Sequence, residues 1–250
     1  KGTTEIYNAA CEPHIVNLAE MLNLMGARIS GAGTNLIHVE GVDSLHGCTV
    51  RVGCDYIEAG SYIAAAAVTK GEILLRGVDP EPFKVLEGVF KRFGVEWTID
   101  EKSGTLHYIP RKRLKMRYDF GDAIPSVADG PWPAFPSDLL SIVIVLATQT
   151  RGTCLFFEKM FESRLYFIDS LRQMGAKIVQ CDPHRAVVTG PSRLYASTIS
   201  SPDIRAGIAL VIAALAAKGQ SVIRNAEIID RGYVPIERSL ANLGAVITRK

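Results

Sequence analysis

GPWPAFPSDLLSIVIVLATQTRGTCLFFEKMFESR, residues 130–164, sets an acid at the start of an almost wholly apolar run and an arginine beyond its end. Pro131, Pro133 and Pro136 fix φ and withhold backbone donors, so the segment before Asp138 is predicted to be an extended loop. Helix then starts at once. Ser137 or Asp138 is a good N-cap, and Leu139 to Ala147 is apolar on nearly every face, the mark of a helix buried all round. Asp138 therefore sits at the positive end of a helix dipole. Local sequence leaves it two roles, a cap and nothing more, or a carboxylate offered to a ligand.

Working outward, the same kind of helix recurs. Asp55 opens YIEAGSYIAAAAVTKG and Asp203 opens IRAGIALVIAALAAKG, and each of the three runs to a glycine (Gly71, Gly152, Gly219) followed by a short strand. A second, amphipathic helix type alternates with it and ends on Gly26, Gly94, Gly175 and Gly244, each followed by a strand. In the first copy Ile15, Leu18, Leu22 and Met25 form one stripe, and Ala27–Ser30 with Leu36–Glu40 read as a hairpin across Gly31–Gly33. The separations Asp55–Gly94, Asp138–Gly175 and Asp203–Gly244 are nearly equal, as expected of a repeat. The unit is strand, apolar helix, strand, amphipathic helix, strand, strand.

Three apolar helices of this kind predict an α/β fold turned inside out, a β/α prism of βαβαββ units with helices at the axis and sheets around them. A doubly wound sheet would need amphipathic helices throughout and a GxGxxG loop, and Gly31-Ala32-Gly33 is only a hairpin turn. The first copy lacks its Asp-led helix. The expected division is therefore residues 1–53 as the C-terminal remainder of one lobe and 54–250 as a second lobe of three units, the whole being the C-terminal portion of a longer chain.

Composition narrows the partners. A net charge of +2 gives no basic excess for nucleic acid or a membrane, and the run Arg111, Lys112, Arg113, Lys115 and Arg117 is followed by Asp119 and Asp122 without interleaved aromatics. Five cysteines without CxxC spacing and five scattered histidines imply reduced thiols in a cytoplasm, with no metal and no cofactor. Leu139–Ala147 and Ile208–Ala217 are too short to span a bilayer, which takes about 18 residues or more.

The series YNAACEPHIVNLAEMLNLMGARISGAGT (7–34), DYIEAGSYIAAAAVTKG (55–71), WPAFPSD (132–138), FESR (161–164), SPDIRAG (201–207) and IDRGYVPIERSLANLGA (229–245) resembles the enolpyruvyl transferases over all 250 residues. That family's fold is two inside-out lobes with the active site between them. The resemblance implies transfer of the enolpyruvyl group of phosphoenolpyruvate to UDP-N-acetylglucosamine in peptidoglycan synthesis. WPAFPSD and IDRGY favour that acceptor over the shikimate 3-phosphate of the family's other branch. It further implies that Asp138 binds the sugar 3-hydroxyl and acts as general base, and that the Met160 carbonyl contacts the nucleotide sugar. Arg164, Asp203, Arg205 and Arg231 match charged cleft positions, where guanidinium forks suit a carboxylate and a phosphate. The structural alternative for each arginine is a salt bridge, for instance Arg231 with Asp230 or Glu237. Ser163 departs from the family's usual asparagine. The family's phosphate-holding lysine and arginine and its acid-bearing mobile loop have no counterpart in these residues. A catalytically silent scaffold of the same fold is thus a rival reading for the 250 residues alone, and the missing N-terminal part of the same protein is an expected partner.

Overall fold

The structure is a computed structural model that describes residues 1–233 and 235–249; Val234 of the IDRGYVPIERS motif and the final Lys250 lie outside the described residues. The chain opens with β1 (Thr3–Tyr7), α1 (Pro13–Leu24), β2 (Arg28–Ser30) and β3 (Leu36–Glu40), whose strands form an antiparallel sheet in the order β1-β3-β2. The hairpin is as the sequence indicates. β1 is an addition, because TTEIY carries too little alternation to mark it as a strand before its partner β3 is known.

Three units follow, and among the described residues only the middle one has all six elements. The first consists of α2 (Tyr56–Thr69), β4 (Ile73–Arg76), α3 (Pro80–Phe90), β5 (Trp97–Asp100) and β6 (Thr105–Tyr108), in sheet order β4-β6-β5. The second has β7 (Ser126–Ala128), α4 (Ser137–Gln149), β8 (Gly152–Phe157), α5 (Ile168–Gln173), β9 (Lys177–Asp182) and β10 (Arg185–Gly190), in order β7-β8-β10-β9. β7 runs parallel to β8, as a strand–helix–strand crossover requires, and the other pairs are antiparallel. The third has β11 (Thr198–Ser200), α6 (Ile204–Ala216), β12 (Val222–Arg224) and α7 (Ile236–Asn242), with β11 parallel to β12. The strand expected after Gly244 is not formed: residues 245–249 take part in no strand pairing among the described residues, and Val246 is fully exposed. A strand exists only where a neighbour takes its backbone groups, so apolar alternation alone did not make one.

At the axis α2, α4 and α6 pack on one another. Every residue from Leu139 to Thr148 and from Ala206 to Ala213 is buried. Each buried Leu, Ile or Val there contributes about 1.5–3 kcal/mol, and the sheets lie outside, as predicted. Close approach uses glycine: a Cβ on Gly207 would stand 2.3 Å from Ser201 Oγ. Gly26, Gly94, Gly175 and Gly244 all have positive φ, which explains the repeated glycine after the amphipathic helices. After α2 that conformation falls on Lys70 (φ 60°) rather than on Gly71. Residues 1–53 differ sharply from the rest. Only Ala19 and Ile37 are buried there, and Leu18 and Leu24 on α1 are exposed.

Candidate active site

The N-termini of the three axial helices are built differently. Asp55 caps α2, its Oδ1 accepting the N–H groups of Ile57 (2.9 Å) and Glu58 (3.0 Å). Asp203 caps α6 in the same way, from Arg205 (2.8 Å) and Ala206 (2.9 Å). α4 departs from this pattern and from the expected cap at Ser137 or Asp138. Pro136 occupies the cap position with no side-chain bond, Ser137 is the first helical residue, and Asp138 lies in the first turn. The proline-rich lead-in is also a tight turn, closed by Ala134 N–H to the Pro131 carbonyl (2.9 Å) and Gly130 N–H to the Phe135 carbonyl (3.1 Å), rather than an extended loop. From inside the helix the Asp138 carboxylate does not turn back on the backbone, and it serves other groups.

Those groups are two guanidiniums. Arg164 Nη1 and Nη2 each donate to Asp138 Oδ1 at 3.2 Å, and Arg205 Nη2 reaches Oδ2 at 2.8 Å. Arg205 is the second residue of α6, so the Asp203 cap that fixes its backbone also aims its side chain. Arg205 Nη1 further donates to Tyr233 Oη (3.4 Å), which meets Ser61 Oγ on α2 at 2.9 Å. Arg164 stands at the start of a 3-10 turn (Arg164–Phe167) and lies 4.5 Å over the Phe161 ring. The preceding residue, Ser163, is left-handed (φ 65°), a conformation that asparagine tolerates better than serine, and this gives the family's usual asparagine a physical reason.

In front of Asp138 opens a cavity of about 460 Å³. One wall is Ser137, Asp138, Met160, Phe161 and Arg205; the other is the start of α1, with Glu12, His14 and Asn17, and the segment 52–57. Glu12 Oε2 is buried and has no hydrogen-bond partner among the described residues. Trp132 packs on Tyr56 with ring centroids 5.4 Å apart. Burial, reinforced by the negative charges of Glu12 and Asp138, pushes the Tyr56 hydroxyl up to about 12, so it acts only as a neutral group. Cys54, also on the wall, is raised chiefly by burial and is not an activated thiolate.

Of the residues singled out in sequence, Asp138, Met160 and Arg205 line the cavity, Arg164 holds Asp138 from beside it, and Asp203 works as a cap. Arg231 is exposed at the end of the 3-10 stretch Ala226–Arg231, and it is Arg249 that takes both Asp230 (2.7 Å) and Glu237 (3.5 Å). Sequence reasoning missed Glu12, Tyr56, Trp132 and Tyr233. All four stand inside the quoted motifs, but apolar and aromatic neighbours there read equally well as core. Among the described residues no group of three or more His, Cys, Asp or Glu is placed to hold a metal, and no helix is long and apolar enough to cross a membrane.

Comparison with known proteins bears on the family and the fold. The chain is 49% identical over 249 residues to UDP-N-acetylglucosamine 1-carboxyvinyltransferase of Borrelia garinii subsp. bavariensis and 50% identical over 253 residues to that of Bacteroides thetaiotaomicron. All of the chain is covered in both cases, and it spans 58% of the length of each relative. Among solved structures it superimposes on the enolpyruvyl transferase NikO from Streptomyces tendae with a TM-score of 0.83 at 24% identity, over 98% of this chain and 56% of that one. It also superimposes on EPSP synthase from Acinetobacter baumannii with a TM-score of 0.73 at 19% identity, over 100% of this chain and 58% of that one. These two likenesses show the inside-out fold. The profile of EPSP synthase (3-phosphoshikimate 1-carboxyvinyltransferase) matches residues 1–240, and with the axial helices and the acid between two arginines already in place, the chain belongs to that family of enolpyruvyl transferases.

Proposed function

We propose that the protein to which these residues belong transfers the enolpyruvyl group of phosphoenolpyruvate to the 3-hydroxyl of UDP-N-acetylglucosamine and releases phosphate, the first committed step of peptidoglycan synthesis in the cytoplasm. One observation carries the reading: Asp138, uncapped at a helix start, is held between Arg164 and Arg205 on the cavity wall. The names of the relatives at 49–50% identity support the acceptor.

In this reading Asp138 takes the proton of the sugar 3-hydroxyl as its oxygen attacks C2 of phosphoenolpyruvate, and an acid outside these residues protonates C3. Loss of phosphate and of a C3 proton from the tetrahedral adduct then restores the double bond. A positioned base of this kind accounts for about 10²–10⁴-fold. The guanidiniums that pair with Asp138 on the cavity wall are those suited to the carboxylate and phosphate of phosphoenolpyruvate. An entering anion competes for them, which releases the Asp138 oxygens toward the acceptor hydroxyl. Met160 supplies a carbonyl to the nucleotide sugar, Asp203 acts by fixing Arg205, and Arg231 reaches the anion only when the cleft closes. Residues 1–53 are the remainder of one lobe and 54–250 the other, with the phosphate-holding lysine and the acid loop contributed from elsewhere in the protein.

The test is phosphate release by the full-length protein from phosphoenolpyruvate with either UDP-N-acetylglucosamine or shikimate 3-phosphate. Release with the nucleotide sugar alone is expected, and none from residues 1–250 by themselves. Release only with shikimate 3-phosphate would overturn the acceptor.

A further inference from the structure

Behind the site lies a pair of acids that the proposed reaction does not use. Asp129, just past β7, and Glu158, just past β8, are 2% and 1% exposed. Glu158 Oε1 accepts the N–H groups of Met160 (3.1 Å) and Phe161 (3.0 Å), and both its oxygens accept from Ser137 Oγ (3.1 and 3.0 Å). Asp129 accepts Lys159 N–H (2.5 Å) and, at 3.3 Å, the same Met160 N–H. Two carboxyl groups thus share one donor and together tie the turn that carries Met160, Phe161 and Arg164 to the first residue of α4, next to Asp138.

We propose that Glu158 and Asp129 are positioning residues of this site, a buried acid pair that fixes the 158–164 turn against the start of α4 and so sets Arg164 and Met160 relative to Asp138. The inference rests on Asp138 being the group that acts. It also carries a pH dependence, because two carboxylates this close and this dry are costly to charge together. Burial, then the hydrogen bond and charge of Asp129, raise Glu158 to about 7. No cation neutralises the pair among the described residues. His184 in the β9–β10 turn donates its Nδ1 to the Glu158 carbonyl (3.0 Å), Lys159 lies over the Phe157 ring, and Arg164 is engaged with Asp138. With its proton Glu158 is both donor and acceptor, and glutamine copies that pattern at any pH.

The sign follows from linkage. Between the ordinary carboxyl range near 4.5 and about 7, the unfolded chain loses this proton while the folded chain keeps it, so the contribution of Glu158 to stability falls as pH rises and is level above that window. Thermal melts of the 250-residue chain with E158Q and D129N at pH 5 and pH 8 test the pair without reference to catalysis. Relative to wild type, E158Q is expected to gain about 2 °C or more in Tm on going from pH 5 to pH 8, and D129N is expected to weaken the pH dependence of the wild type. A difference between wild type and E158Q that is the same at both pH values would overturn the proposal. In the full-length protein, E158A is expected to lower kcat about tenfold at pH 7 and E158Q to retain more than E158A. Equal kcat in E158A and wild type would remove the positioning role. Should the full-length protein transfer no enolpyruvyl group, the fault lies with the functional reading, and the melts still judge the pair.

Discussion

The starts of α6 and α4 present the same residue type in two employments. In Pro202-Asp203 the acid follows proline directly, takes the cap position, and its carboxylate is consumed by the N–H groups of Arg205 and Ala206. In Pro136-Ser137-Asp138 the proline itself takes the cap position, and the acid falls inside the first turn with both oxygens turned to guanidiniums. The helix dipole favours both carboxylates. What separates a structural acid from an available one is therefore its place relative to the helix start, a matter of two residues. The two are also joined, because the cap on Asp203 holds Arg205, which then reaches across to Asp138.

That link predicts the largest effect. In the full-length protein Arg205→Lys keeps the charge but cannot span Asp138 and Tyr233 with one planar fork, so kcat/KM for phosphoenolpyruvate is expected to fall on the order of 10²-fold. A fall of less than threefold would mean that Arg205 only fills space beside Asp138. A smaller effect is expected on the structural side. Asp203→Ala removes two bonds to the first turn of α6 and should cost about 1 kcal/mol in denaturant unfolding of the 250-residue chain, while Asp203→Asn should cost almost nothing. Equal loss in both variants would show that the charge of Asp203, and not its cap, is what matters.

The sequence carried the fold because the signal was redundant. Three apolar helices, each led by an Asp and ended near a glycine, and four glycines with positive φ after amphipathic helices leave little freedom in the architecture. Asp55 and Asp203 were legible as the residues that open α2 and α6, but their capping bonds came from the structure, and for Asp203 the sequence reading names a cleft position instead. Elements that depend on distant partners were not. β1 exists through β3, and residues 245–249 lack such a neighbour among the described residues despite a strand-like pattern. Asp138 reads as a cap because its neighbours in sequence suit one; its carboxylate is instead taken by Arg164 and Arg205, which are far away along the chain. Glu158 and Asp129 gave no sequence signal at all, because an acid after a strand reads as a solvated loop residue until burial shows otherwise.

The most direct test replaces the acid in each helix start by its isosteric amide, in the full-length protein, and reads turnover and stability together. Asparagine caps about as well as aspartate, so Asp203→Asn should leave kcat within about threefold and stability within about 1 kcal/mol. Asp138→Asn keeps the shape and a bond to the acceptor hydroxyl but cannot take its proton, so kcat should fall by about 10²-fold or more with a similarly small change in stability. A kcat unchanged by Asp138→Asn would contradict the account, and Asp138 would then be one more helix-start acid without a chemical role.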